Sequence, residues 1–277
     1  MGKLYLIPTP VGNMEDITLR ALRLLKEVDL VLAEDTRTSA KLLKHYEITT
    51  PLLSHHKFNE HATVKMVAES IAAGRNAALV SDAGTPGISD PGFLLVRTCV
   101  EAEIEVETLP GATALIPALV QSGFPCDRFC FEGFLPQKKG RAKQLQSLAA
   151  EERTMIFYEA PHKIGATLRD LAAALGDREI AIVREITKIH EEVIRTTLCA
   201  AAEKYADGGL KGEIVLIIAG AKPEEKEQMA VEQAVEEAKK FIASGDSASE
   251  AAKKAAKLSG HKKGDIYKLL QGEKDNG

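Results

Sequence analysis

The stretch Asn76-Ala77-Ala78-Leu79-Val80-Ser81-Asp82-Ala83-Gly84-Thr85-Pro86-Gly87-Ile88-Ser89-Asp90-Pro91-Gly92 joins a short apolar run to a loop of Gly, Pro, Asp, Ser and Thr. An apolar run of this length, stopped by turn residues, reads as a buried strand. In open parallel sheets, ligands bind outside the carboxyl ends of the strands. Gly and Pro allow close, rigid backbone approach there, and short polar side chains give directional hydrogen bonds.

The same design recurs outward from this stretch. Lys3-Leu4-Tyr5-Leu6-Ile7 runs into Pro8-Thr9-Pro10-Val11-Gly12-Asn13. Asp29-Leu30-Val31-Leu32-Ala33 runs into Glu34-Asp35-Thr36-Arg37-Thr38, and Ile104–Leu109 into Pro110-Gly111-Ala112-Thr113-Ala114. Leu19, Leu22, Leu25 and Val28 recur at helical spacing, Lys65–Ala73 reads as a helix closed by Gly74, and an apolar helix is expected over Ala112–Val120. Strands separated by helices predict an α/β fold with a mostly parallel sheet.

Near Ser122-Gly123-Phe124-Pro125 the rhythm resets. The expected organisation is an N-terminal α/β domain over 1–122, a second α/β domain over 123–221, and a helical extension over 222–277. The second segment carries strand patterns near Phe129–Phe134, Met155–Tyr158, Ile180–Val183, Val193–Thr197 and Ile214–Ile218, the short turn before Val193 pointing to antiparallel pairing. Lys222-Pro223-Glu224-Glu225-Lys226 reads as a linker. Ser247-Ala248-Ser249-Glu250 has capping-box spacing, and a break at Ser259-Gly260-His261 gives a helix-turn-helix-like pattern.

Apolar residues make up 45% of the 277 residues and charged residues 27%, which excludes disorder as the main state. The net charge of -4 excludes a generally basic polyanion binder, so any nucleic-acid contact must use a local patch. Lys138-Lys139-Gly140-Arg141-Ala142-Lys143, with no acid close in sequence, reads as a phosphate-contacting loop or as a solvated face. The same two readings hold for Lys253, Lys254, Lys257, Lys262, Lys263 and Lys268. No segment approaches the ~20 apolar residues of a membrane span, and no secretory signal opens the chain, so a cytoplasmic protein is expected. Cys99, Cys126, Cys130 and Cys199 form no metal spacing, and reduced, mostly buried thiols with no metal are expected. None of the rim loops is a phosphate loop or a Gly-x-Gly-x-x-Gly turn, which favours a neutral or zwitterionic ligand with a nucleoside part.

Asp82-Ala83-Gly84-Thr85-Pro86-Gly87-Ile88-Ser89-Asp90-Pro91-Gly92, with Leu109-Pro110-Gly111-Ala112-Thr113-Ala114, resembles the tetrapyrrole-methylase superfamily. Ile7-Pro8-Thr9-Pro10-Val11-Gly12-Asn13, Ala33-Glu34-Asp35-Thr36-Arg37 and Tyr158-Glu159-Ala160-Pro161-His162-Lys163 resemble more closely its bacterial group of small-subunit rRNA 2'-O-methyltransferases. Arg184-Glu185-Ile186-Thr187-Lys188 and Lys211-Gly212-Glu213-Ile214 continue the match. The resemblance implies two dissimilar α/β domains with S-adenosylmethionine in the cleft between them, a homodimer, and 16S rRNA of the small ribosomal subunit as partner. It implies methylation of a cytidine ribose in the decoding region. A tetrapyrrole or protein side chain as acceptor, or a silent RNA-binding assembly factor, are the alternatives.

Carried over by position, the resemblance puts Pro10, Asp82, Gly84, Thr85, Ile88, Thr113, Ala114, Tyr158, Glu185 and Glu213 at the cofactor. Thr85 stands where many relatives have Asp, which weakens a porphyrin assignment. Methyl transfer to an alcohol is an in-line displacement, and a ribose hydroxyl needs a base to take its proton. Glu159 or Asp35 is the expected base, with Arg37 and Lys163 positioning phosphate or ribose. Structural readings stand beside these: Asp35 paired with Arg37, Glu34 facing solvent or capping a helix, His162 capping a helix, and His55-His56 as loop residues. Phe58 and Tyr158 are candidates for base stacking.

Overall fold

The computed structural model describes residues 1–222 and 229–272. The apolar runs Lys3–Leu6 (β1), Leu30–Ala33 (β2), Leu52–Ser54 (β3), Ala77–Val80 (β4) and Glu105–Thr108 (β5) form a parallel sheet of order β3-β2-β4-β1-β5. Between them run helices Leu19–Glu27 (α1), Thr36–His45 (α2), Glu60–Ala72 (α3) and Phe93–Glu101 (α4), and Leu115–Ser122 (α5) follows β5. All four residues of β4 are buried, as befits a central strand covered on both faces. Leu4, Leu6, Leu32 and Leu79 pack on one face against Val67 and Ile71 of α3 and Leu95 and Cys99 of α4. Ile7, Val31 and Val80 pack on the other against Leu25 of α1 and Leu43 of α2.

Three elements of this half depart from the sequence expectation. β3 is a three-residue, half-buried strand at the sheet edge, too short to show alternation. Glu34-Asp35-Thr36-Arg37 is the start of α2 rather than a plain loop, because the Asp35 carboxylate accepts from the Arg37 amide and caps the helix. α5 begins at Leu115, three residues later than expected, and ends at Gly123 in the left-handed conformation (φ 79°).

The second sheet has the order β6-β7-β10-β8-β9, from Phe129–Phe134 (β6), Thr154–Glu159 (β7), Glu179–Arg184 (β8), Glu192–Thr197 (β9) and Ile214–Ile218 (β10). β6 and β7 pair in parallel, and the other neighbours are antiparallel, including the expected β8–β9 pair. Helices Arg141–Ser147 (α6), Ile164–Leu175 (α7) and Leu198–Lys204 (α8) complete this half. One face packs Met155, Phe157 and Leu216 against Leu168 and Leu171 of α7. The other face packs Ile156, Val183, Val215 and Ile217 against Ala118 and Leu119 of α5, and against Val11 from the loop after β1. An apolar cluster therefore joins the two sheets, and both lie in one compact unit, Met1–Ala221.

The second compact unit, Lys222–Gly277, contains helices Val231–Ala243 (α9), Ala248–Ser259 (α10) and Lys263–Gly272 (α11). The Ser247 hydroxyl accepts from the Glu250 amide and caps α10, and Gly260 ends it with φ 77°. Its core is small: Ala234, Val235, Ala238, Ala251, Ala252, Ala255, Ile266 and Leu270. The expected linker lies, apart from Lys222, outside the described residues.

Among the described residues, no helix is long and apolar enough to cross a membrane. All four cysteines are free, but Cys126 and Cys199 are exposed. This corrects the expectation of mostly buried thiols: Cys126 lies in the loop after α5, and Cys199 in the first turn of α8.

Candidate active site

Backbone pairing fixes the rim of the first sheet. Thr9 and Gly84 exchange N–H···O bonds of 2.9 Å each, tying the loop after β1 to the loop after β4. The buried Thr9 hydroxyl donates to the Ser81 carbonyl, and the Thr85 hydroxyl donates to Ala112 O at 3.1 Å, reaching the loop after β5. Asp35 N donates to Asp82 Oδ1 at 3.1 Å, so the start of α2 joins the same rim. On the other side, the Thr187 hydroxyl donates to Val11 O at 2.6 Å and pins the loop after β8 to the first rim.

These loops enclose one side of a cavity of about 420 Å³, and the second sheet encloses the other. Val11, Glu34, Asp82–Thr85, Ile88–Asp90, Thr113 and Ala114 line it from the first half. Phe134, Tyr158, Glu159, Ala160, Pro161, Val183, Ile186 and Glu213–Val215 line it from the second. Volume and lining match a small-molecule site: mostly apolar walls with a few convergent polar groups. Tyr158 is held edge-on to Phe131, with ring centroids 5.0 Å apart, and tilted against Phe134 at 5.6 Å. Burial raises its phenol above the ordinary value.

Of the residues expected at the cofactor, Asp82, Gly84, Thr85, Ile88, Thr113, Ala114, Tyr158 and Glu213 line this cavity. Pro10 and Glu185 do not, although their neighbours Val11 and Ile186 do. Glu185, in the left-handed region at φ 51°, is an internal brace. Its Oε1 accepts from Glu213 N and from Lys188 Nζ, both at 2.9 Å, and Lys188 also pairs with Glu213 at 3.1 Å. Gly212 (φ +86°) makes room for this brace, since a Cβ there would overlap the Glu185 carboxylate.

Of the residues expected at the chemistry, only Glu159 lines the cavity. Its carboxylate is buried and committed: Oε1 accepts from Ala160 N and Oε2 from the Thr167 hydroxyl. Arg141 donates to that same hydroxyl, to Pro136 O and to Asp170. The basic stretch 138–143 therefore has an acid partner after all, supplied by α7 from 29 residues away. Arg37 forks onto Asp35, and hydrogen bonding from Arg37 holds the Asp35 carboxyl down at about 2. Lys163 ends the one-turn helix Pro161–Lys163, next to but outside the cavity lining. His162 makes no capping bond there.

Of two further cavity carboxylates, Glu34 reads from sequence as facing solvent or capping a helix, and Asp90 is not singled out. Glu34 lines the cavity and is neither fully exposed nor the cap of α2. Burial and the neighbouring Asp82 raise its pKa. Asp90 is half-buried, and burial together with Glu34 and Asp82 pushes its carboxyl up to about 7. Burial also raises Asp82. Among the described residues no lysine, arginine or histidine lines the cavity, and His56 and Arg37 act on Glu34 and Asp82 only from outside it. Ser89-Asp90-Pro91 reads in sequence as turn chemistry, and only the fold brings Asp90 to Glu34.

His55 is buried with Nδ1 3.0 Å from the Thr63 hydroxyl, and His56 accepts from the Phe58 and Asn59 amides before α3. Neither lines the cavity.

A family profile for tetrapyrrole (corrin/porphyrin) methylases matches residues 3–202. Over 271 residues the chain is 49% identical to ribosomal RNA small subunit methyltransferase I of Synechocystis sp., covering 97% of each chain. It is 46% identical to the protein of that name from Haemophilus influenzae, covering 97% of this chain and 96% of the relative. With the Thermotoga maritima protein of that name it shares 46% identity over 220 residues, which is 79% of this chain and 99% of the relative. Among solved structures, the methyltransferase CobJ superposes with a TM-score of 0.60 at 22% identity, covering 80% of this chain and 95% of that one. Diphthine synthase gives 0.60 at 14%, covering 79% and 90%.

Proposed function

The chain belongs to the tetrapyrrole (corrin/porphyrin) methylase family, within the ribosomal RNA small subunit methyltransferase I group, and we propose that it methylates the ribose 2'-hydroxyl of a cytidine in the decoding region of 16S rRNA, using S-adenosylmethionine. The near-full-length identity to relatives of that name carries this reading. The cavity supports the cofactor. It is sized for a small molecule, walled by Val11, Val183, Ile186 and Val215, and lined by Glu34, Asp82 and Asp90 with no basic side chain among the described residues. An apolar slot lined by carboxylates suits a ligand that carries a nucleoside and positive charge.

The bound cofactor supplies a methyl group on a positively charged sulfur, which makes the transfer an in-line displacement. The chain's residues align and dehydrate the reactants. Thr85 and Thr113 offer hydroxyls on the first rim, and Tyr158 offers an aromatic face with a phenol on the second. Glu159 braces the second rim through Thr167 and Ala160. Glu185 orders Glu213 at the cavity wall. Arg37, 87% exposed in its side chain, and Lys163 lie just beyond Glu34 and Pro161, where they would meet phosphate of the incoming strand.

The test is methyl transfer from labelled S-adenosylmethionine to small subunits purified from cells lacking this protein, with the modified nucleotide mapped by mass spectrometry. Label on one cytidine ribose is expected. Tight cofactor binding without RNA labelling would move the acceptor to another molecule.

A further inference from the structure

Drawing one ribose into a narrow cavity unstacks the base beside it, so a strand that feeds the site leaves a π-face uncovered at the mouth. The two aromatic side chains expected to stack on bases take different places in the fold. Tyr158 packs against Phe131 and Phe134 in the cavity wall. Phe58 is 95% exposed, in the turn between β3 and α3.

That turn is held by its own side chains. Asn59 Oδ1 accepts from His56 N at 2.7 Å, and Asn59 Nδ2 donates to Ser54 O at 3.0 Å. His56 Nδ1 accepts from the amides of Phe58 and Asn59, both at 3.2 Å. The His56 ring lies edge-on to Phe58, with centroids 6.0 Å apart. These bonds fix the backbone that carries the ring, so the ring stands in water without folding back on the chain.

The turn also meets the cavity rim at both ends. His55 N donates to Ala33 O at 2.8 Å, next to Glu34, and His56 acts on the Glu34 carboxylate at the cavity wall. Glu60 Oε1 accepts from Gly92 N at 3.2 Å, which ties the other end to the loop after β4. Phe58 lies between these two anchors.

We propose that Phe58 is a stacking platform for an unpaired RNA base beside the methylated nucleotide, with Lys57 and Arg37 set for the adjoining phosphates. This rests on the ribose-methylation reading above. Every base has a π-face, so one ring on a fixed backbone takes an unstacked nucleotide of any sequence. The charges suit a polyanion: Lys57 is exposed and makes no ion pair among the described residues, and the Arg37 side chain is 87% exposed beyond Glu34. A second copy of the chain fits this turn less well. One phenylalanine supplies about 150–250 Å² of contact, against about 1,200–2,000 Å² for a stable interface, and its neighbours His56, Lys57 and Asn59 are polar.

The experiment measures methyl transfer to small subunits from cells lacking this protein, using wild type, F58A, F58L, F58Y and F58W. F58A should raise the KM for subunits about 5- to 100-fold, the loss of one stacked base, and should change kcat less. F58L keeps apolar area without a π-face and should resemble F58A. F58Y and F58W keep a ring and should stay near wild type. Cofactor affinity by calorimetry and the urea midpoint should not move in F58A, because the ring is exposed and outside the cavity lining. A merely structural Phe58 would lower the urea midpoint and would not separate leucine from tyrosine in KM.

A wild-type KM in F58A or in F58L would overturn the platform. F58A that sediments as a different oligomer from wild type would assign the ring to a contact between copies instead. If wild type itself puts no methyl on a cytidine ribose, the functional reading falls and the platform with it. That result is distinct from one in which wild type transfers and F58A keeps its KM, which removes the platform alone.

Discussion

Arg37 grips Asp35 at both carboxylate oxygens, with Nε 3.0 Å from Oδ1 and Nη2 2.7 Å from Oδ2, in the turn that opens α2. The same Oδ1 accepts from the Arg37 amide, so one carboxylate serves as helix cap and ion-pair partner together. These bonds favour the charged form and place the Asp35 carboxyl at about 2, against an ordinary value of ~3.9. A carboxyl depressed on folding stabilises the fold above its unfolded value, and that stability is lost as pH falls through about 2. In R37A the NMR midpoint of Asp35 should rise toward the ordinary value. The Tm gap between wild type and R37A should narrow on acidification. D35N, which keeps a capping side chain, should keep most of the methyl-transfer rate. A rate lost in D35N with cofactor affinity intact would return Asp35 to the role of base.

Glu159 predicts a stability effect more directly than a catalytic one. Its buried Oε2 depends on the Thr167 hydroxyl, which Arg141 holds from the far side at 3.0 Å. T167V keeps the side-chain shape and removes both bonds, leaving a buried carboxylate oxygen unpaired. Stranded polar groups of this kind cost about 1–3 kcal/mol. Urea unfolding of T167V should show a loss of that size, and T167S should restore most of it. An unchanged midpoint in T167V would mean that Glu159 has another partner in solution.

Much of this architecture was legible because strand ends carry local chemistry. Pro8-Thr9-Pro10, Asp82–Gly92 and Pro110-Gly111 mark the carboxyl ends of β1, β4 and β5, and their loops meet at the cavity. Elements without a local signature were missed. β3 spans three half-buried residues, and α2 starts inside a stretch whose Asp and Thr read equally as loop. Side-chain commitments were not legible where partners come from afar. Asp170 lies 29 residues from Arg141, and Asp82 lies 47 residues from Asp35. Asp90 owes its perturbed carboxyl in part to Glu34, which only the parallel pairing of β2 with β4 brings near.

Gly92 tests how firmly the Asp90 loop must be held. Its φ of +136° is a conformation that L side chains rarely adopt, and a Cβ would strike Leu79, a fully buried core residue. Backbone strain at such positions costs on the order of 1–3 kcal/mol. G92A should lower the unfolding midpoint accordingly and should weaken cofactor binding and slow methyl transfer, because it displaces the loop that carries Ile88, Ser89 and Asp90 to the cavity wall. Loss of stability with transfer at the wild-type rate would show that the loop tolerates rearrangement.

The lysines of the C-terminal unit separate a phosphate-gripping surface from a solvated face. Lys254 is paired with Asp246 at 2.6 Å, and Lys263 donates to the Ser249 hydroxyl at 2.8 Å. Lys253, Lys257, Lys262 and Lys268 are exposed and make no ion pair among the described residues. They lie outside the small alanine-rich core, so replacing all four by glutamine should leave the unit folded. If they meet rRNA, the variant should bind small subunits more weakly. The dependence of log K on log salt should flatten by about 0.7–0.9 for each phosphate that is no longer neutralised. Cofactor affinity should not change, because the cavity is built from residues 11–215. A variant with wild-type affinity and an unchanged salt slope would show that these lysines serve solubility, and that the first unit alone supplies the electrostatic grip on the substrate.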